Sequence, residues 1–386
     1  MALALAAIAQ VFSWGPGVEF LPRTLLTGPE CPGYVEPCGI AGAAEEWVPL
    51  IASLPPRTIR TAVFVVSSDE GGSACVDQPT VEQQVEVLNQ YLGGINATFK
   101  LTFHTINSSF LLARRVLPFC NFSTIGDGVC DSFCNASITN FDGGDCVPPP
   151  ADASRCAHVT ECIEACNIAA FNWSMGICCD PAVADPVLHC RDPSSSLRTY
   201  VSTDEIKLAA HPAPPLDSWN IYVAPYTECP WCGAASTLPW DFDGTQLLSQ
   251  GSMYNSFTMP KFDYLVGPHE AGHTLGLLHP FTYSEGGTMP CGYACFEGTQ
   301  YSSNESGSEH TGDLLADTRP SVMNMLCEDP AGVDCDGAPW IDTPFRNIMG
   351  FGYVNSGCVQ AATAFTPMQQ GRMRCFLETT YPLWWT

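Results

Sequence analysis

Periodic patterning along this chain starts near residue 60. The run RTAVFVV (60–66) is almost continuously apolar and β-branched, as expected of a buried strand. The next segment, PTVEQQVEVLNQYLGG, changes period. Val81, Val85, Leu88 and Leu92 fall on one helical face, Thr80 and Gln83 have the spacing of a capping box, and Gly93 is placed to end the helix. FKLTFHT (99–105) then alternates, with Phe99, Leu101 and Phe103 on one side and Lys100, Thr102 and His104 on the other. Strand, helix, strand is the opening of an α/β layer. The pattern resumes at WNIYVAP (219–225), another strand, and FTPMQQGRMRCFLE reads as the last helix.

Two regions lack this order. Residues 1–58 are rich in Pro and Gly and read as a leader or pro-region, with Cys31 and Cys38 closing a short loop. Residues 115–195 carry ten cysteines and little periodicity, and read as a disulfide-rich insertion. The α/β pattern around it falls into two parts, 59–114 and 196–386. The insertion holds an internal repeat, in copies at 120–146 and 156–178. Cys130, Cys134 and Cys146 match Cys162, Cys166 and Cys178 at the same spacing, Phe141 matches Trp173, and Gly144 matches Gly176. Copy one ends in NFDGGDC. Its Asp142 and Asp145, set among glycines, suit a hard cation such as calcium; the plain alternative is a solvated acidic turn. Copy two has Ser174 and Ile177 at those places.

Composition narrows the setting. The chain has 386 residues, a net charge of −25 and only three lysines, which argues against nucleic acid or an anionic membrane as partner. It has 21 cysteines and six glycosylation sequons, at Asn96, Asn107, Asn121, Asn135, Asn172 and Asn304, so the expectation is a secreted, oxidised glycoprotein. An odd cysteine count leaves at least one thiol unpaired or paired to another chain. The apolar start MALALAAIAQVFSW has no basic residue ahead of its Ala-Ile-Ala and reads as a weak or truncated signal peptide. No later segment has eighteen uninterrupted apolar residues, so no membrane span is expected.

The chemistry concentrates in HEAGHTLGLLH (269–279). Residues four apart share a helical face, so His269 and His273 project side by side as zinc ligands. Gly276 lets the chain turn and bring His279 in from another direction. Three nitrogen ligands leave a fourth position open, as in catalytic rather than structural zinc. Glu270 is the candidate general base. This spacing is the metzincin signature. Of two candidate Met-turns, SVMNM and RNIMGFG, the second is preferred, which selects Met349. Pro268 just before His269 requires the helix to start close by, or to kink.

Copy one (GDGVCDSFCNASITNFDGGDC) resembles a Lin12–Notch repeat, with Thr139 where that family has a cysteine. The resemblance implies that Asp127, Asp142 and Asp145 hold calcium. Asn135 is a further candidate, in competition with its own sequon. Over roughly residues 60–386 the chain is similar to the pappalysin family of zinc proteases. The stretches that carry the likeness are CCDPAVADPVLHCRDP, NIYVAP, GAASTLPWDFDG, HEAGHTLGLLH, GDLLADT, NIMGFG and FTPMQQGRMRCFLE. The likeness implies an α+β metzincin-type protease domain: a twisted mixed sheet, an active-site helix and a smaller C-terminal subdomain bearing the Met-turn. It implies a secreted endopeptidase acting on protein or peptide substrates, with one zinc on His269, His273 and His279, Glu270 as base, and calcium in the first repeat. One departure stands out. The family commonly has tyrosine two residues after the Met-turn methionine, and here that residue is Phe351.

Two rival readings compete. Cys229-Pro-Trp-Cys232 after a strand resembles a redox site, although Gly233 and Pro239 cut short the helix such a site needs. Alternatively, the chain is a catalytically weak or inactive calcium-binding protein on a protease scaffold, a reading that Phe351 favours and Glu270 opposes.

Overall fold

The structure is a computed structural model that describes residues 38, 43–70, 72, 74–117, 120, 122–131, 134–147, 153–156, 159–184, 189–210, 217–225, 234–236, 239, 251–256, 259–260, 265–281, 312–334, 337–352 and 364–386. The labelled elements in chain order are α1 (Ala43–Trp47), β1 (Arg57–Ser67), α2 (Gln78–Leu92), β2 (Ala97–Asn107), β3 (Arg115–Leu117), β4 (Tyr200–Ser202), α3 (Thr203–Ala210), β5 (Trp219–Ala224), β6 (Ala234–Ser236), β7 (Ser252–Asn255), α4 (Val266–Thr274) and α5 (Pro367–Thr379).

Five strands form a mixed sheet in the order β2-β1-β5-β7-β6. All neighbours are parallel except β6, which runs antiparallel to β7. β1 lies inside this sheet and is covered on both faces, so its apolar run does not alternate. Val63 and Val65 face a core built with Val81, Val85, Leu88 and Leu92 of α2, Ala271 of α4, and Met373 and Leu377 of α5. Phe64 and Val66 face a second core with Val201, Ile206, Tyr222 and Met253. β2, at the sheet edge, keeps the alternation read from its sequence: Phe99 is buried, and Leu101 and Phe103 pack partly buried against the α2 side.

Two local expectations need correction. α2 is capped not by Thr80 but by Asp77, whose carboxylate accepts from the Thr80 N–H at 3.0 Å; Pro79 in the first turn costs no hydrogen bond there. At the other end the helix does stop before Gly93, as its sequence suggests, although Gly93 keeps right-handed geometry and Asn96 takes the left-handed turn at φ 53°. Cys38 does not close a loop with Cys31. It pairs with Cys375 of α5, a sequence separation of 337. α1 packs on the same helix, where a Cβ on Gly371 would meet the Ala44 carbonyl at 2.2 Å. The end of the segment read as a leader is therefore built into the fold. A chain without a period near Cys38 gives no sign of a partner so far away.

The insertion carries its repeat into three dimensions. Copy one has disulfides Cys120–Cys134 and Cys130–Cys146, and copy two has Cys156–Cys166 and Cys162–Cys178 in the same order. Asn140, Phe141 and Asp142 all have positive φ, and so do Asn172, Trp173 and Ser174. The copies pack together, so that a Cβ on Gly126 would fall 2.2 Å from the Ala169 side chain. Among the described residues no helix is long and apolar enough to cross a membrane. The free cysteine among them is Cys75, half-buried, its thiol pushed up to about 12 chiefly by burial. Cys229 and Cys232 lie outside the described residues.

Candidate metal centre and acidic loop

α4 begins at Val266, so Pro268 sits in the first turn, where its missing N–H breaks no bond. The helix ends after Thr274. Gly276 then adopts φ 90°, and a Cβ there would fall 2.2 Å from the Phe376 ring. This turn brings His279 back over the helix. The Nε2 atoms of His269, His273 and His279 lie 3.0–3.1 Å from one another. His269 Nδ1 donates to the Ile348 carbonyl at 2.7 Å, and His273 Nδ1 donates to the Leu277 carbonyl at 2.8 Å. Each carbonyl can only accept, so each Nδ1 carries the proton and each Nε2 presents a lone pair.

Such an arrangement repels itself without a cation. The nitrogens of a tetrahedral zinc site are separated by about 3.3 Å, given Zn–N bonds of about 2.05 Å, close to the spacing here. Burial holds all three imidazoles below their ordinary 6.5, His273 at about 4, so they are neutral ligands. The residues fit zinc. A second cluster, Cys162, Glu164 and His189, does not fit a metal in the same way. Cys162 is in a disulfide and Glu164 is paired with Arg191.

Glu270 is buried beside the first of these histidines, and its Oε2 has no hydrogen-bond partner among the described residues. Burial pushes its carboxyl up to about 8, against a hydrogen bond from Ser236. A cation at the three nitrogens would draw it back down.

Met349 lies fully buried under α4, with its Sδ 2.5 Å from where a Cβ on Gly272 would be. A polar network invisible in the sequence holds its turn. Asn347 Oδ1 accepts from the Met349 N–H at 2.8 Å, the Asn347 and Gln369 amides bond to each other, and Gln369 donates to buried Asp313 at 3.0 Å. Asp317 caps α5 through Thr366 and the Met368 N–H. GDLLADT, NIMGFG and FTPMQQGRMRCFLE are thus one unit. In the sequence NIMGFG was read as the Met-turn and FTPMQQGRMRCFLE as the last helix, while GDLLADT had no stated role. Phe351 reaches the same place, its ring 5.0 Å from that of His279 and 4.8 Å from that of Phe281.

In the acidic loop Asp131 lies near Asp142 along with Asp127 and Asp145, but no three of the four bring carboxylate oxygens within 4.8 Å of one another. Asp142 is fully buried with Oδ1 lacking a hydrogen-bond partner, and Oδ2 accepts from the Asp131 N–H. Burial, then the charges of Asp131, Asp145 and Asp127, push its carboxyl up to about 6, although the Asp131 N–H opposes this. Asp145 accepts from the Gly128 N–H, and Asp127 from that of Val129. Asp131 was missed in the sequence, because it sits outside the Gly-rich run. The repeat offset of 32 now gives the equivalents in copy two as Val159, Ile163, Ser174 and Ile177, with no carboxylate among them. Even the backbone bond is kept, with the Ile163 N–H on Ser174 Oγ at 3.5 Å.

A family described as Notch: LNR domain matches residues 118–147, which is copy one. Pappalysin-1 of Mus musculus is 33% identical over 342 residues, covering 85% of this chain and 20% of that protein. Pappalysin-1 of Homo sapiens is 32% identical over 338 residues, with the same coverage. This is a pappalysin-like chain with an LNR repeat. It spans about a fifth of the length of these relatives. The likeness suggests a metalloprotease and implies zinc.

Proposed function

We propose that the pappalysin-like chain is a secreted, zinc-dependent endopeptidase with a metzincin-type catalytic domain, interrupted by the LNR-bearing insertion at 115–195. The observation that carries this reading is the triangle of three proton-free Nε2 atoms next to a buried glutamate. His269, His273 and His279 would hold the zinc. When bound, zinc acidifies a water and polarises the scissile carbonyl. The chain's own residues do the rest. The Ile348 and Leu277 carbonyls fix the tautomers of His269 and His273, and through them the ring orientations. Glu270 takes the proton of the attacking water and passes it to the leaving amine. Met349 and the Asn347–Gln369–Asp313 network keep the floor under the histidines rigid.

The substrate class is protein or peptide. Calcium is proposed for copy one, on Asp127, Asp142 and Asp145 together with Asp131. The disulfides and sequons support secretion as a glycoprotein.

One observation favours a second reading, a binding protein with little or no turnover: Phe351 brings no hydroxyl to the site it reaches. The test pairs zinc content by mass spectrometry with cleavage of an unfolded protein substrate, for wild type and Glu270→Gln. One zinc per chain, with cleavage lost in the variant, is the expected result. Zinc in both without cleavage by either would replace the endopeptidase with the binding protein. Absence of zinc would overturn the reading of His269, His273 and His279 as zinc ligands.

A further inference from the structure

The peptide group between Ile348 and Met349 is held at both of its polar atoms. Its carbonyl, on Ile348, accepts from His269 Nδ1 at 2.7 Å, and its N–H, on Met349, donates to Asn347 Oδ1 at 2.8 Å. The group is planar, so turning it would break both bonds together. Asn347 and Gln369 face each other as a closed amide pair. Asn347 Nδ2 donates to Gln369 Oε1 at 2.9 Å, and Gln369 Nε2 donates to Asn347 Oδ1 at 3.1 Å. Gln369 Nε2 donates again, to Asp313 Oδ2 at 3.0 Å. His269, Asp313, Asn347, Ile348, Met349 and Gln369 are all buried, so water does not compete for these bonds.

The groups at the edge of this network leave it one arrangement. A backbone N–H can only donate, so the Asn347 oxygen must face Met349. The Thr366 N–H donates to Gln369 Oε1 at 3.0 Å and orients that amide in the same way. Both Nε2 protons of Gln369 are then committed, one to Asn347 and one to Asp313. The other Asp313 oxygen, Oδ1, accepts from the Leu315 N–H at 3.2 Å. An amide at position 313 would turn its NH2 onto one of these two donors, whereas a carboxylate accepts from both.

Asp313 is itself fixed in place. Leu314, the next residue, has φ 63°, a left-handed geometry unfavourable for leucine. Buried Arg372 supports it by donating to the Asp313 and Leu314 carbonyls at 2.7 and 2.9 Å. Burial pushes the Asp313 carboxyl up to about 7, and the Arg372 charge and the Gln369 bond pull against this.

We propose that Asp313 is a positioning residue for His269, acting through Gln369, Asn347 and the Ile348–Met349 peptide group. It orients that peptide so that the carbonyl holds the His269 Nδ1 proton and Nε2 stays aimed at the metal position. His273 supplies the contrast, because its Nδ1 donates to the Leu277 carbonyl, in the turn after α4. For its effect on zinc the proposal rests on the reading of His269 as a ligand, but the hydrogen bonds can be followed without metal.

The test follows the two Nδ1–H resonances by NMR in histidine-labelled protein, zinc-loaded and after chelation, with zinc affinity from chelator competition. Asp313→Asn keeps the volume and removes one acceptor. The His269 resonance should shift and exchange faster with solvent, the His273 resonance should stay in place, and zinc should bind about tenfold more weakly. Asn347→Ala, which removes the acceptor of the Met349 N–H, should act on His269 in the same way and again spare His273. Both resonances moving together, or neither moving, would overturn the proposal. Should neither variant fold, hydrogen exchange in the wild type decides. The Met349 amide and the His269 Nδ1–H should exchange at one common rate, and a Met349 amide that exchanges freely beside a protected His269 would also overturn it. A wild type that shows the expected resonances but binds no zinc would remove the zinc-ligand reading and leave the positioning of His269 standing.

Discussion

Gly272 and Met349 touch across the underside of the zinc-site helix, so closely that a Cβ on Gly272 would lie 2.5 Å from the methionine sulfur. Met349 is fully buried and has no room to retreat. Gly272→Ala should therefore destabilise by about 1–3 kcal/mol, the usual cost of overpacking. Combined with Met349→Ala, it should cost less than the sum of the two single changes, because the second removes the clash. Urea denaturation of the three variants measures this directly; strict additivity would show that the two residues do not press on each other.

Zinc should be part of the fold as well as of the chemistry. With their Nδ1 protons committed to carbonyls, the His269 and His273 lone pairs face each other at 3.1 Å unless a cation separates them. Dialysis against a chelator should lower Tm, and added zinc should restore it at one equivalent per chain. His273→Ala should show no response to either treatment. A Tm indifferent to zinc in the wild type would argue against the assigned ligands.

Phe351 offers a gain-of-function test. Its ring packs against both His279 and Phe281, which are stacked on each other, and a hydroxyl on that ring is expected to face the site. Phe351→Tyr should raise kcat by roughly tenfold, a part of the 10²–10³ that one well-placed donor contributes. A tyrosine that leaves kcat unchanged or lower would mean that the ring does not point its para position at the reacting carbonyl.

Calcium should distinguish the two repeats. Copy one carries Asp127, Asp131, Asp142 and Asp145, and copy two repeats the same backbone with Val159, Ile163, Ser174 and Ile177. Titration calorimetry should find one calcium per chain, lost in Asp142→Asn. Hydrogen exchange on chelation should loosen 120–146 and leave 156–178 protected. Two bound ions, or none, would be incompatible with this assignment.

Glu378 ties β1 to α5. It receives Arg57 at 2.8 Å and Arg374 at 2.6 Å, and Arg374 also donates to the Ile95, Asn96 and Pro55 carbonyls. Burial raises the Glu378 carboxyl, but the bonds and charges of the two arginines outweigh it and hold it below its ordinary 4.5. A carboxyl depressed on folding stabilises above its unfolded pKa, and that stability goes as pH falls through the folded value. Wild type should lose stability below about pH 4.5, whereas Glu378→Gln should lose on the order of 1–3 kcal/mol at pH 7 and show a flatter acid limb. Parallel acid limbs for the two proteins would assign the acid sensitivity elsewhere.

The sequence by itself determined the elements whose physics is local. The apolar run of β1, the four-residue spacing along α2, the alternation of β2 and the repeat of cysteines each follow from periods within a few residues. So does the helical pairing of His269 with His273, and Gly276 as the turn that returns His279. What only the tertiary structure decided depends on groups far apart in the chain. The Asn347–Gln369–Asp313 network, the Cys38–Cys375 disulfide and the Trp219–Ser252–Ser236 line of hydrogen bonds join residues tens to hundreds of positions apart. No period announces them. A serine in a strand or a glutamine in a helix looks the same in sequence whether it faces water or a buried partner, and only packing removes the water that would otherwise make the difference immaterial.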